Sequence, residues 1–303
     1  MIDLTIIWAG IIGFAVVAYV IMDGFDLGIG ILFPRFKVGP ERDTAMNSIP
    51  PVWDGNETWL VLGGGGLMAA FPLAYAIVLP ALYAPLIAML LGLVLRGVAF
   101  EFRWRDPAHR PIWDLSFTLG STVATFAQGV TLGALLQGIT VEGRAYAGSW
   151  WEWLSPFSCL TGVGLVIGYA LLGSCWLIWK TEGPLQDQAY RYAGRLGFAL
   201  LIAIGIVSLA TLGLETQYYQ RWLAYPGLIA TAQGPLATLI VSFLFFRSLR
   251  KRQEAMPFLS ILGLFGLCIV GLGISIWPDV IPARVSIWTA AAPERSQIFM
   301  LIG

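Results

Sequence analysis

The stretch LTIIWAGIIGFAVVAYVIMDGFDLGIG, residues 4–30, decides the fold class. Residues 4–21 are apolar enough to cross a bilayer, since about 20 such residues in a helix span roughly 30 Å of hydrocarbon. Asp23 and Asp26 follow before the apolar character resumes at Leu27. Ionisable residues at membrane depth are costly and are therefore candidates for function. The stretch predicts a membrane helix whose two carboxylates need an explanation.

The composition of the 303-residue chain is that of a membrane protein. Hydrophobic residues make up 57% of it and charged residues 12%, whereas about 25% of residues are charged in a soluble domain. Repeated apolar windows predict an all-α polytopic membrane protein that forms a single transmembrane domain over residues 1–303. The predicted helices cover residues 4–33, 58–79, 81–101, 115–138, 157–180, 195–214, 226–247 and 257–277, with the start of a ninth at 296–303.

The lysines and arginines predict how the chain is oriented in the membrane. Thirteen of the eighteen lie in the connections that follow the first, third, fifth and seventh predicted helices. Because positively charged loops stay in the cytoplasm, this bias predicts an N-terminus outside. The first apolar segment has no basic region before it and no small-residue cleavage site, so we expect it to remain as a helix.

Cysteine and histidine are too sparse for a common metal site. The three cysteines, Cys159, Cys175 and Cys268, fall inside predicted helices and have no CxxC spacing. The one histidine, His109, lies in a predicted cytoplasmic loop. Haem and zinc sites usually require two or more such ligands. We therefore expect this chain to bind no metal and no cofactor of its own.

Six charged residues gather at the cytoplasmic ends of the first three predicted helices. They are Asp23 and Asp26 on the first, Asp54 and Glu57 on the second, and Arg96 and Glu101 on the third. Residues three apart share a helix face, so each pair of acids points to one side. A buried carboxylate without a cation becomes protonatable near neutral pH. The pattern predicts a proton path through Asp54, Asp26 and Asp23, supported by the charges of the other three residues.

Structural interpretations of the same residues stay open. Asp54 followed by Glu57 is the pattern of a capping box, with Asp in place of Ser or Thr. Asp23 and Asp26 could lie at the water interface, with their cation acting only as a structural counter-ion. The four glycines at 63–66 fit either dense helix packing or a locally unwound helix of the kind that transporters use.

Three motifs, in this order, resemble subunit II of the cytochrome bd-type quinol oxidases. They are MDGFDLGIG (22–30), NSIPPVWDGNETWL (47–60) and LRGVAFEFR (95–103). The terminal SQIFMLIG (296–303) is similar to the start of that family's last helix. The resemblance implies two four-helix bundles plus a peripheral ninth helix, of which only the start lies in this sequence. It also implies a location in the bacterial inner membrane.

The resemblance implies a function as well. It makes this chain the haem-free subunit of a respiratory terminal oxidase, which oxidises quinol, reduces oxygen to water and generates a proton motive force. Haem b and haem d are then expected on the partner, the haem-bearing subunit I. By the same resemblance Asp54 stands in a hydrophilic channel from the cytoplasm, and Asp26 is the second candidate there.

Other partners follow less directly from the resemblance. Some members of that family hold a structural quinone in subunit II, and no motif here identifies a site for a quinone or a lipid. The sequence does not decide whether a small accessory single-helix subunit is attached, and nothing in it indicates a nucleic-acid partner. Two alternatives to the oxidase function remain open, a proton-coupled secondary transporter and a scaffold that only stabilises a catalytic subunit.

Overall fold

The computed structural model describes residues 3–49, 53–225 and 227–302. Pro226 and Gly303, which bound two of the predicted helices, and residues 50–52 of the second motif lie outside the described residues. Seven helical segments in the described part are long and apolar enough to cross a membrane. They cover Leu4–Arg35, Tyr83–Arg105, Pro107–Gln137, Pro156–Lys180, Gly183–Thr211, Gly227–Arg250 and Ala255–Ile276. The prediction of an all-α polytopic membrane protein is confirmed.

Helices form almost all of the regular structure. In chain order they are α1 (Leu4–Leu32), α2 (Pro40–Asn47), α3 (Trp53–Ala70), α4 (Pro72–Ala81), α5 (Tyr83–Arg105), α6 (Arg110–Gln137), α7 (Pro156–Lys180), α8 (Gly183–Thr211), α9 (Thr216–Leu223), α10 (Gly227–Thr231), α11 (Gln233–Arg250), α12 (Ala255–Ile276), α13 (Ile287–Ala290) and α14 (Glu294–Ile302). Two antiparallel hairpins lie in the connections after α6 and after α12. Their strands are β1 (Val141–Glu142), β2 (Ala145–Tyr146), β3 (Asp279–Ile281) and β4 (Val285–Ser286).

The acidic end of α1 lies inside the helix bundle. Helix α1 packs against α3, α6 and α7, while α5, α6, α7 and α8 pack against one another in sequence. Every residue from 23 to 30 of α1 is buried. The placement of Asp23 and Asp26 at a water interface is therefore wrong for this fold. The apolar side chains of Leu27 and Ile29, both fully buried, join the core of the bundle.

Glycine allows the backbones of α1 and α7 to touch at this level. A Cβ atom added to Gly28 would lie 1.8 Å from the carbonyl oxygen of Tyr169, and one added to Gly173 would lie 2.5 Å from the carbonyl carbon of Gly28. Small residues are typical of such close crossings in membranes. The crossing holds the acidic end of α1 against α7.

The second predicted helix, 58–79, is divided into α3 and α4 at Phe71. Pro72 has no backbone N–H and disfavours helical backbone in the residue before it. Phe71 accordingly has φ −130° and ψ 62°. The glycines at 63–66 lie within the continuous helix α3, so the locally unwound helix considered for this tract is not formed.

Several helices extend beyond the predicted apolar windows. Helix α6 begins at Arg110 and α8 at Gly183, ahead of the predicted starts at 115 and 195. Charge-free windows mark only the part of a helix that suits hydrocarbon, whereas its polar turns continue into the headgroup layer and water. The predicted seventh helix, 226–247, corresponds to α10 and α11, and the short helix α9 was not predicted.

Candidate functional site

A buried arginine on α5 faces carboxylates from two other helices. Arg96 donates a hydrogen bond from Nη2 to Oδ1 of Asp23 on α1. Its Nη1 lies 2.8 Å from Oε1 of Glu57 on α3, and its Nη2 lies 3.7 Å from Oδ2 of Asp26. The planar guanidinium suits this arrangement, because its donors point in fixed, separate directions. We call these four side chains, together with Asn56, the acidic cluster.

Asn56 joins α3 to α1 inside the acidic cluster. Its Nδ2 donates to Oδ2 of Asp26 at 2.7 Å and to the carbonyl oxygen of Met22 at 2.9 Å. The residue is fully buried. We did not predict this residue from the sequence, although a polar amide between two acids on a membrane helix indicates a hydrogen bond to a neighbouring helix.

The acidic cluster holds more negative than positive groups. The side chains of Asp23, Asp26 and Arg96 are 0% exposed and that of Glu57 is 32% exposed. Oδ1 of Asp26 accepts no hydrogen bond from a described residue. Three carboxylates against one guanidinium leave uncompensated charge, which is costly away from water. The cluster is therefore suited to taking up and releasing a proton.

Two of the predicted site residues lie elsewhere. Asp54, in the first turn of α3, is exposed and makes no hydrogen bond or ion pair with any described residue. Glu101 is 57% exposed and pairs with Arg105 at 3.2 Å. The structure thus brings together Asp23, Asp26, Glu57 and Arg96, and leaves the other two on the surface of the chain.

A second ion-pair network fastens the connection between α1 and α3. Arg103 on α5 is buried and lies 2.6 Å from Asp114 on α6 and 2.7 Å from Asp43 on α2. Arg42 on α2 also reaches Asp114, at 2.7 Å. These bonds hold α2 against α5 and α6. The same bonds anchor the segment that leads into α3, the helix that carries Asn56.

The single histidine lies away from the acidic cluster. His109 is exposed, and its Nδ1 is 2.9 Å from Oδ2 of Asp106. This hydrogen bond holds the pKa of Asp106 below its usual value. In the described part of the chain, no group of three or more histidine, cysteine, aspartate or glutamate side chains could hold a metal ion.

Replacing Asn56 with alanine should destabilise the contact between α3 and α1. The change removes the donor to Asp26 and to the Met22 carbonyl, and an unsatisfied buried acceptor costs about 1–3 kcal/mol. We expect the midpoint of thermal unfolding of the detergent-purified protein to fall. Asn47→Ala is the matched control, because Asn47 is exposed at the end of α2. Equal midpoints for the two variants would contradict the structural role of Asn56.

A family model described as cytochrome bd terminal oxidase subunit II matches residues 4–303. Over 194 residues the chain is 36% identical to the probable cytochrome oxidase subunit 2 of Haemophilus influenzae, covering 61% of this chain and 51% of the relative. Over 192 residues it is 36% identical to the cytochrome bd-I ubiquinol oxidase subunit 2 of Escherichia coli K12, covering 60% of this chain and 50% of the relative. The aligned region thus spans about half the length of these two relatives.

Two further comparisons extend over more of the chain. The cytochrome bd ubiquinol oxidase subunit 2 of Bacillus subtilis is 30% identical over 266 residues, which are 83% of this chain and 74% of the relative. A chain of the bd oxidase from Geobacillus thermodenitrificans has the same fold, with a TM-score of 0.81 at 17% identity over 99% of this chain and 93% of that one. Since the family model matches nearly every residue, the chain belongs to the cytochrome bd terminal oxidase subunit II family.

Proposed function

We propose that this chain is the haem-free subunit of a respiratory terminal oxidase in the bacterial inner membrane. The complex oxidises quinol, reduces oxygen to water and generates a proton motive force. Haem b and haem d belong to the partner, subunit I, which this chain stabilises. Family membership supports the proposal, and so does a sequence with one histidine, exposed at His109. The transporter hypothesis has no comparable support.

The membrane arrangement in this proposal follows from the charge bias. The basic connections lie in the cytoplasm and the N-terminus lies outside. The acidic cluster is then near the cytoplasmic side, at the end of α1 and the start of α3. Two four-helix bundles with a peripheral ninth helix complete the arrangement.

The chain contributes a proton-uptake path to the complex. The observation that carries this proposal is the buried acidic cluster, in which one guanidinium serves three carboxylates. Reduction of oxygen consumes protons, and electrons arriving in a low-dielectric interior are stabilised by protons that accompany them. A buried group that takes up and releases protons at the cytoplasmic side meets this need.

The order of the acids follows from their exposure. Asp54 is exposed in the first turn of α3 and collects protons from the cytoplasm. Glu57, half-buried one turn further on, lies between water and the interior. Asp26 is fully buried and is held by Asn56 and only distantly by Arg96, so it is the carboxyl that exchanges the proton.

Asparagine at position 26 or 54 should slow turnover without removing haem from the complex. Each change keeps the size of the side chain but removes its ability to carry a proton. We expect quinol-driven oxygen uptake to fall on the order of tenfold for Asp26→Asn and less for Asp54→Asn, since a positioned proton-transfer group contributes up to several orders of magnitude. Oxygen uptake and haem content of the purified complex are measured together.

The matched control is Asp187→Asn, which alters an exposed aspartate paired with Arg252 on the same side of the chain. Its turnover should equal that of the unmodified complex. Loss of haem in the Asp26 variant would assign that residue to assembly. Unchanged turnover in both the Asp26 and Asp54 variants would remove the proton path from the proposal.

The absorption spectrum of the purified complex tests the proposal as a whole. We expect the tagged chain to co-purify in a one-to-one ratio with a subunit that shows haem b and haem d bands. A chain that purifies without such a subunit, and that transports a solute with protons in vesicles, would favour the transporter hypothesis instead.

A further inference from the structure

Asn56 and Asp26 each have one buried oxygen that lacks a hydrogen-bond donor. Nδ2 of Asn56 donates to Oδ2 of Asp26 at 2.7 Å, and both residues are 0% exposed. Oδ1 of Asn56 and Oδ1 of Asp26 accept no hydrogen bond from a described residue. Buried polar atoms in native proteins are nearly always paired, so these two oxygens need a donor.

The orientation of the Asn56 amide is determined by its two partners. An amide nitrogen carries two hydrogens, and here one is donated to Oδ2 of Asp26 and the other to the carbonyl oxygen of Met22. The opposite orientation would place the amide oxygen against the Met22 carbonyl oxygen, which can only accept. Oδ1 is therefore the atom of this amide that still requires a donor.

A hydrogen carried by Asp26 itself is the donor that fits both oxygens. Neither oxygen is accessible to water, and a water molecule needs room that a hydrogen does not. A protonated carboxyl has one O–H donor and keeps its capacity to accept. A hydrogen on Oδ1 of Asp26 can therefore be donated to Oδ1 of Asn56 while Oδ2 still accepts from Nδ2. Because amide and carboxyl groups are both planar, the two bonds close a ring between them.

The charges around Asp26 favour the protonated carboxyl. The ionised groups that face it are Arg96 on α5, Asp23 on α1 and Glu57 on α3. Arg96 donates hydrogen bonds to Asp23 and to Glu57, whereas its Nη2 lies 3.7 Å from Oδ2 of Asp26. One guanidinium thus already serves two other carboxylates, and an ionised Asp26 would add a third negative charge away from water, which is costly.

We propose that Asn56 is a positioning residue that holds the proton of the path on Asp26, through two reciprocal hydrogen bonds between the amide and the carboxyl. Proton uptake forms an O–H bond at Oδ1 of Asp26. Release breaks that bond and returns the proton to the path, and the carboxylate then keeps only the hydrogen bond from Nδ2. This inference rests on the proposed proton path and names the residue that controls its site of proton exchange.

Infrared spectroscopy of the purified complex tests whether Asp26 carries the proton. We expect a carboxylic C=O band in the unmodified complex that Asp26→Asn removes. An ionised Asp26 that only accepts from Asn56 would give no such band. Asp187→Asn, which changes an exposed aspartate, should leave the band in place.

Asn56→Leu tests whether the amide holds that proton. Leucine is similar in size but makes no hydrogen bond, so the Asp26 C=O band should move to higher wavenumber. The kcat of oxygen uptake should fall about tenfold, the size of one lost hydrogen bond to a charged group, because release then leaves a carboxylate without its amide donor. The KM for quinol should stay unchanged. Asn47→Leu, at the exposed end of α2, is the matched control and should alter neither the band nor kcat.

Asn56→Ser carries the test if the leucine variant does not assemble. A serine hydroxyl has one hydrogen and a shorter reach, so it cannot pair with both oxygens of Asp26, and the band should again move. The inference is overturned if Asp26→Asn removes no band, if the band keeps its position in the Asn56 variants, or if their kcat is unchanged. Failure of the proposed function is decided separately, by turnover of the Asp26 and Asp54 variants, since the Asp26 band can be present whether or not turnover depends on it.

Discussion

Arg96→Gln is expected to prevent stable assembly of the chain in the membrane. The change removes the only cation in contact with Asp23, Asp26 and Glu57 among the described residues. Breaking a buried ion pair by removing one partner costs about 3–5 kcal/mol, because the other charge stays buried, and here three acids lose the same partner. The measurements are the amount of folded chain in the membrane and its thermal unfolding midpoint in detergent.

Arg105→Gln is the matched control for this substitution. Arg105 is 76% exposed and pairs with Glu101 on the same helix, so its loss should change the free energy of unfolding by less than about 0.5 kcal/mol. Adding Asp23→Asn to Arg96→Gln should recover part of the lost stability, since one buried charge fewer then lacks a partner. An Arg96→Gln chain as abundant and as stable as the unmodified one would contradict the charge balance that underlies the acidic cluster.

Gly28→Leu should separate α1 from α7 and expose the acidic end of α1. Even a Cβ atom at Gly28 would lie 1.8 Å from the Tyr169 carbonyl oxygen, so the two backbones must move apart. Overpacking of a tight contact typically costs about 1–3 kcal/mol and occasionally more, and backbone atoms cannot rotate away as a side chain can. We expect a lower unfolding midpoint and greater protease sensitivity at the α1–α7 contact.

Gly205→Leu in α8 is the control of equal size. A Cβ atom at Gly205 meets nothing within 4 Å, and the residue is exposed. Its unfolding midpoint should match that of the unmodified protein. If the two leucine variants were equally stable, close backbone contact at Gly28 would not be what holds these helices together.

Helical geometry explains why only some of the predicted site residues lie together in the structure. At about 100° per residue, Glu101 lies roughly 140° around α5 from Arg96, whereas Arg103 lies within about 20° of it. Arg103 is indeed buried on that side, in the network with Asp43 and Asp114. The spacing of these residues in the sequence is therefore enough to place Arg103, and not Glu101, on the same side of α5 as Arg96.

The sequence does not determine in the same way which face of α3 turns towards α1. Asp54 and Glu57 lie about 60° apart on a helix, and Asn56 lies about 100° from Glu57 on its other side. The cluster occupies the sector between Asn56 and Glu57, which leaves Asp54 outside it. The spacing of these residues allows either Asp54 with Glu57 or Asn56 with Glu57 to face the interior. Packing of α3 against α1 turns Asn56 and Glu57 inward.

The sequence by itself determines the membrane class, through the length of its apolar stretches, and the family, through the order of the three motifs. The charge bias predicts from the same sequence that the acids gather at one level. Each of these features can be recognised by following the chain from one residue to the next. Which acids share Arg96, and that Asn56 joins them, depends on contacts between residues from 30 to 73 positions apart. Such contacts form only when the helices pack. Packing brings α1 against α7 at their glycines and determines which face of α3 turns towards α1.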